Sequence, residues 1–197
     1  MLNSLINKNS PELKFWNWFK DHSENYYKIS DYDREELYDL FQTKLQKVHK
    51  DLAFEFSETP DEDGKQELII SADGVRQLIP IVLKLINAAP DLEKWKITAF
   101  RQRMEGMEIN FNGYKINEDK VFFTYDFISD KKYININIFT ENFKTEMKGA
   151  LYLLLDNCIG EYEVMTKVGN ISFEELNDSK GEIPPISKLY ELIEEIR

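Results

Sequence analysis

Few side chains in this chain are able to do covalent chemistry. It has 197 residues, with one cysteine and two histidines among them. Cys158 is the sole thiol, and thiol catalysis needs a histidine beside it to form the thiolate. Its neighbours Leu154, Leu155 and Ile159 are apolar, a setting that raises a thiol pKa and hides the sulfur, so Cys158 reads as a packing residue. His22 lies between Trp18 and Tyr26, and His49 just before an alternating segment. No His-x-x-x-His or Cys-x-x-Cys spacing occurs, so the sequence offers no metal ligand set. No catalytic residue and no cofactor is expected.

The non-covalent candidates are more specific. Trp95, Ile97, Ala99, Arg101 and Arg103 share strand parity. If a strand runs on past its sheet, Arg101 and Arg103 emerge together as a grip for a carboxylate or phosphate; the competing reading pairs them with surface Glu105 or Glu108. Asp73, in Ser71-Ala72-Asp73-Gly74, sits where a strand feeds a helix. Its charge suits capping better than anion binding at that point. The aromatic residues Trp16, Trp18, Tyr26 and Tyr27 exceed one helix face. Trp16 or Tyr27 is thus a candidate partner contact, unless the two N-terminal helices use them to pack on each other. The acidic turn Thr59-Pro60-Asp61-Glu62-Asp63-Gly64 fails as a calcium loop, because the twelfth position is Ile70 where a bidentate Glu is needed. The Gly64-Lys65 pair has neither the upstream glycine nor the following hydroxyl of a phosphate loop.

These residues must be carried by elements that the hydrophobic periods outline. Ser10-Pro11 starts a helix running to about Tyr27, and Asp33 with Glu36 resembles a capping box opening a second. Together they predict an N-terminal helical hairpin over residues 1–50. From Leu52 the pattern alternates, turns at 59–64, and returns over 67–72, predicting two strands. A third helix over 74–88 contains Pro80, which requires a late start or a kink, and a strand follows over 95–100. Asn112-Gly113 predicts a two-residue hairpin turn with positive φ between 108–111 and 114–117. Strands over 120–128 and 133–139, a helix over 141–157 ended by Gly160, and a strand over 162–168 complete a second set. The caps Asp73 and Thr140 lie about 67 residues apart, as do the strand starts Trp95 and Tyr162. The expectation is an α+β fold: duplicated ββαβ, ferredoxin-like units at 51–176 form a mostly antiparallel sheet, and a loop and helix occupy 177–197.

The 36 acidic against 25 basic residues give a formal charge of −11, which repels phosphate backbones and disfavours direct nucleic-acid binding. A basic protein partner suits such a surface, the competing reading being that the acidity serves solubility alone. The first residues lack the basic start and apolar core of a secretory signal, and no apolar run approaches the roughly 20 residues that span a bilayer. With a lone cysteine, this favours a reducing cytoplasmic setting and no membrane partner. An edge strand left open by either unit offers a route to self-pairing.

The run Leu68-Ile69-Ile70-Ser71-Ala72-Asp73-Gly74, with Ala88-Ala89-Pro90 and Trp95 to Arg103, resembles a family of uncharacterised bacterial proteins. Gly160-Glu161-Tyr162 and Val168-Gly169 are similar to the same family's C-terminal part. The resemblance implies no activity and transfers no catalytic residue. In charge and element order the chain is also similar to the regulator of ribonuclease activity B, whose members are acidic, ferredoxin-like inhibitors of an endoribonuclease. Together these observations favour a non-catalytic interaction or regulatory module, the alternative being an anion-binding protein or hydrolase using Arg101 and Arg103.

Overall fold

The computed structural model describes residues 9–106, 108–128, 132–177 and 181–196. The chain divides into two compact units, Met1–Phe100 and Arg101–Arg197, a division that falls inside the span 51–176, just after the third strand.

The first unit contains α1 (Pro11–Tyr26), α2 (Arg34–Leu45), β1 (Ala53–Phe56), β2 (Gln66–Ser71), α3 (Ile79–Asn87) and β3 (Trp95–Ala99). Ser10 Oγ accepts the Leu13 N–H at 3.2 Å, and Pro11 occupies the first turn, where its missing donor is harmless. The buried stripe of α1 is Glu12, Phe15, Trp16, Phe19, Ser23 and Tyr26, spaced by three and four as a core-facing helix requires. His22 lies off that stripe, exposed and stacked against Trp18. Asp33 precedes α2 without capping it; its carboxylate is taken by the Ser30 hydroxyl at 2.7 Å. Pro80 lies in the first turn of α3 because a 3-10 turn at Arg76–Leu78 delays the helix to Ile79, the late start that its missing N–H demands.

The sheet order is β1-β2-β3, antiparallel and then parallel. Phe54 and Phe56 meet Phe41 of α2 at ring centroid distances of 4.3 and 5.0 Å. Phe15, Phe19 and Tyr26 of α1 meet the same ring edge-on at 5.4 to 5.7 Å. Each such contact adds about 0.5–1.5 kcal/mol beyond burial itself, so Phe41 is the hub on which α1, α2 and the sheet converge.

The second unit contains the hairpin β4 (Glu108–Phe111) and β5 (Tyr114–Asn117), then β6 (Val121–Ile128), β7 (Tyr133–Thr140), α4 (Lys148–Ile159), α5 (Glu161–Lys167), β8 (Val168–Glu175) and α6 (Leu189–Glu195). Asn112 and Gly113 both take positive φ, at 49° and 80°, as the hairpin turn requires. The larger sheet runs β6-β7-β8, again antiparallel and then parallel. Its core joins Phe123, Ile134, Ile136 and Ile138 to Leu151, Leu154 and Leu155 of α4 and to Leu189 and Ile193 of α6.

The expectation of one sheet is corrected: among the described residues the strands form three separate sheets of three, two and three strands. The expected strand over 162–168 is also corrected. Gly160, with φ 92° and ψ 135°, ends α4 and lets the chain restart as α5, so the strand begins only at Val168. Landmarks nevertheless recur with a constant step. Ser71 and Thr140 end β2 and β7, and Asp73 and Asn142 take positive φ of 49° and 54°. The 3-10 turns begin at Arg76 and Thr145, and the helices at Ile79 and Lys148. Every pair is 69 residues apart.

Candidate functional site

The predicted contact residues separate. Trp16 is buried, with 1% of its surface exposed, and its Nε1 donates to the Leu85 carbonyl at 2.7 Å. It fastens α1 to α3 and offers nothing to a partner. Tyr27 is half-buried; its hydroxyl donates to the Gly64 carbonyl at 3.0 Å, while Lys28 and Lys94 lie over its ring at 5.2 and 5.1 Å. Both aromatic residues are therefore used by the fold of the first unit. The acidic turn that Tyr27 holds is closed by its own residues: Asp61 Oδ1 accepts the N–H groups of Asp63 and Lys65 at 3.0 and 2.8 Å. Asp73 is exposed in a left-handed turn, and its N–H donates to Ser71 Oγ at 2.8 Å. It does not cap α3, which begins six residues later.

Arg101 and Arg103 do not emerge together. β3 stops at Ala99 and Phe100 takes φ 65°, so strand parity ends before either arginine. The side chain of Arg101 is 8% exposed, with Nη1 3.2 Å from Asp156 Oδ2 and 3.9 Å from Glu161 Oε2. Its backbone N–H donates to Glu161 Oε2 at 3.0 Å, and its carbonyl accepts the Glu161 N–H at 3.0 Å. Burying a charge is costly unless it is paired and hydrogen-bonded, and Arg101 is both. It binds the start of α5 to the end of α4. Arg103 is exposed, pairs with Glu105 at 2.7 Å, and lies over the Tyr190 ring at 3.8 Å from its centroid. The surface pairing with Glu105 is the one that the structure contains.

Arg103 borders a concavity of about 240 Å³ in the second unit, with Cys158 at its buried side. Burial pushes the thiol up to about 12; the charge of Glu118 adds to this and that of Arg103 opposes it. Such a thiol is largely protonated at neutral pH and reacts only through a small thiolate fraction, so it is a poor catalytic nucleophile. Among the described residues no group of three or more His, Cys, Asp or Glu is placed to hold a metal, and no helix is long and apolar enough to cross a membrane.

A group of exposed aromatic and apolar side chains lies elsewhere. On β6 and β7, Tyr125, Phe127, Ile128 and Tyr133 are 40%, 42%, 36% and 40% exposed. Tyr125 and Phe127 stand opposite Ile136 and Ile134 in the register and so share their face, yet those isoleucines are buried. The reason is coverage: α5 packs on β7 and β8, while β6 is the edge strand. Ile128 and Tyr133 are paired on the opposite face, which makes this end of the hairpin apolar on both sides. Along its outer side β6 meets Pro184 and Pro185 at Phe122 and Phe123, and no strand pairs with it beyond that point among the described residues. The sequence signal was present in the consecutive apolar pair Phe127-Ile128, which breaks the alternation of a half-buried strand.

Compared with family models, with curated proteins and with solved structures, the chain matches none.

Proposed function

We propose that this protein is a non-catalytic interaction or regulatory module that engages a protein partner through the exposed end of the β6–β7 hairpin. The observation that carries this reading is the set of four large apolar side chains, each more than a third exposed, on one hairpin of an acidic chain. Aromatic side chains supply much of the affinity of protein contacts, and apolar surface left on an edge strand is a liability unless it is used. The charge of −11 favours a basic partner surface and a fast, salt-sensitive encounter.

The same reading includes a ferredoxin-like duplication of ββαβ units, supported by the matching strand orders and the 69-residue step between landmarks, and a cytoplasmic setting. The resemblance to the regulator of ribonuclease activity B belongs to this reading by analogy of element order and charge. An anion-binding protein or hydrolase built on Arg101 and Arg103 has less support, since Asp156 and Glu105 already face those guanidinium groups.

The test is capture of partners by the tagged chain with nuclease present, in parallel with a Tyr125→Ser, Phe127→Ser variant. Loss of a stoichiometric partner from the variant supports the reading. Retention of the same partner by a folded variant removes the hairpin from it.

A further inference from the structure

We propose that the concavity beside Cys158 is a binding site for a small organic cation of the primary amine or guanidine class. The inference is independent of the hairpin and rests on the charges that line this cavity. Two of its walls are self-neutralised: Arg103 Nη2 meets Glu105 Oε1 at 2.7 Å, and Lys188 Nζ meets Glu191 Oε1 at 2.6 Å. The third carboxylate, Glu118, has no basic side chain paired with it among the described residues; its Oε1 accepts the Gly106 N–H at 3.1 Å. The lining therefore carries one net negative charge.

The cations present are poorly disposed to receive an anion. The guanidinium of Arg103 lies over Tyr190 at 3.8 Å and is engaged at Nη2. Cys158, 5% exposed and in no disulfide, also lines the cavity. Ser187 adds a hydroxyl to the lining. An ammonium or guanidinium group would meet Glu118 as a charge-assisted acceptor and Ser187 as a neutral one. Met104 borders the cavity and can cover the alkyl part. At about 240 Å³ the cavity lies below the range of drug-sized pockets, which favours a small ligand.

Cys158 is the only cysteine, so thiol labelling reads this cavity alone. The probes are 2-aminoethyl methanethiosulfonate, a cation, and 2-sulfonatoethyl methanethiosulfonate, an anion of similar size. In each the Cys158 thiolate attacks the sulfenyl sulfur, forms a disulfide and displaces methanesulfinate. Each rate is divided by that of the urea-unfolded chain to remove intrinsic reactivity. The expected result is a preference for the cation of at least about tenfold, which collapses in Glu118→Gln. That variant keeps an oxygen for the Gly106 N–H. Butylammonium should also slow labelling of the wild type where butyrate at equal ionic strength does not, a readout that stands even if the variant fails to fold. Equal or anion-favouring rates, no labelling of the folded chain by either probe, a preference unchanged in Glu118→Gln, or equal protection by butyrate would each overturn the proposal.

Discussion

Replacing Arg101 by methionine should be among the most destabilising single changes in the second unit. The guanidinium stands 3.2 Å from Asp156 and 3.9 Å from Glu161, and the three side chains are 8%, 9% and 0% exposed. Methionine keeps the length of the side chain but leaves two carboxylates buried without that counter-charge. Removing one partner of a buried ion pair costs about 3–5 kcal/mol. For a cooperative unit of this size that corresponds to a fall in melting temperature of about 15–30 °C. Arg103→Met supplies the contrast, because its partner Glu105 is 77% exposed, and an exposed pair contributes below about 1 kcal/mol. Urea unfolding followed by far-UV circular dichroism compares the two variants with wild type. Adding Asp156→Asn to Arg101→Met should recover part of the loss by removing one stranded charge. The reasoning fails if Arg101→Met unfolds within about 1 kcal/mol of wild type, or if the two arginine variants lose equal stability.

Other consequences are open to simple tests. Burial opposes a charge on Glu12, but the Lys84 ammonium at 2.8 Å, the residue's own N–H and the Ser10 hydroxyl outweigh it and hold its carboxyl below the usual value. Its contribution is therefore present above the unfolded carboxylate pKa and lost as pH falls through the lower folded value. The urea midpoints of wild type and Glu12→Gln should differ at pH 7 and converge below about pH 4. The Cys158 thiol, raised to about 12 from 9.0, has the opposite consequence. Its contribution is complete below the unfolded value and declines as pH rises from there toward 12, so the midpoint advantage of wild type over Cys158→Ala should shrink between pH 8 and pH 10.5. Gly160→Ala meets no atom closer than 3.8 Å but must adopt φ 92°; strain alone should cost about 1–2 kcal/mol in urea unfolding.

The sequence was legible where a local rule acts alone. Ser10-Pro11 starts α1, Asn112-Gly113 turns the β4–β5 hairpin, and Pro80 delays α3, each because one residue's geometry admits few alternatives. Prediction failed where a tertiary partner decides. Tyr162 to Val168 reads as a strand by composition, yet Glu161 is held by Arg101 and the segment as far as Lys167 forms α5. The arginine pair failed through one residue: positive φ at Phe100 ends the alternation that would have aligned Arg101 with Arg103. Burial of Trp16 was also hidden, because the acceptor that anchors it, the Leu85 carbonyl, is 69 residues away in sequence. The exposed hairpin aromatics lay within segments correctly read as strands, but whether a helix covers the end of β6 is set by packing that one strand's pattern does not carry.

The central claim is that Tyr125, Phe127, Ile128 and Tyr133 form a partner-binding surface, and the most direct measurement separates binding from folding. Wild type and the Tyr125→Ser, Phe127→Ser variant are compared by urea unfolding and, in parallel, by quantitative partner capture with nuclease present. Because both side chains are about 40% exposed, the account predicts a stability loss below about 2 kcal/mol for the pair together with at least a tenfold loss of captured partner. A partner held equally by both proteins, or a variant that unfolds as a core deletion does, would contradict it.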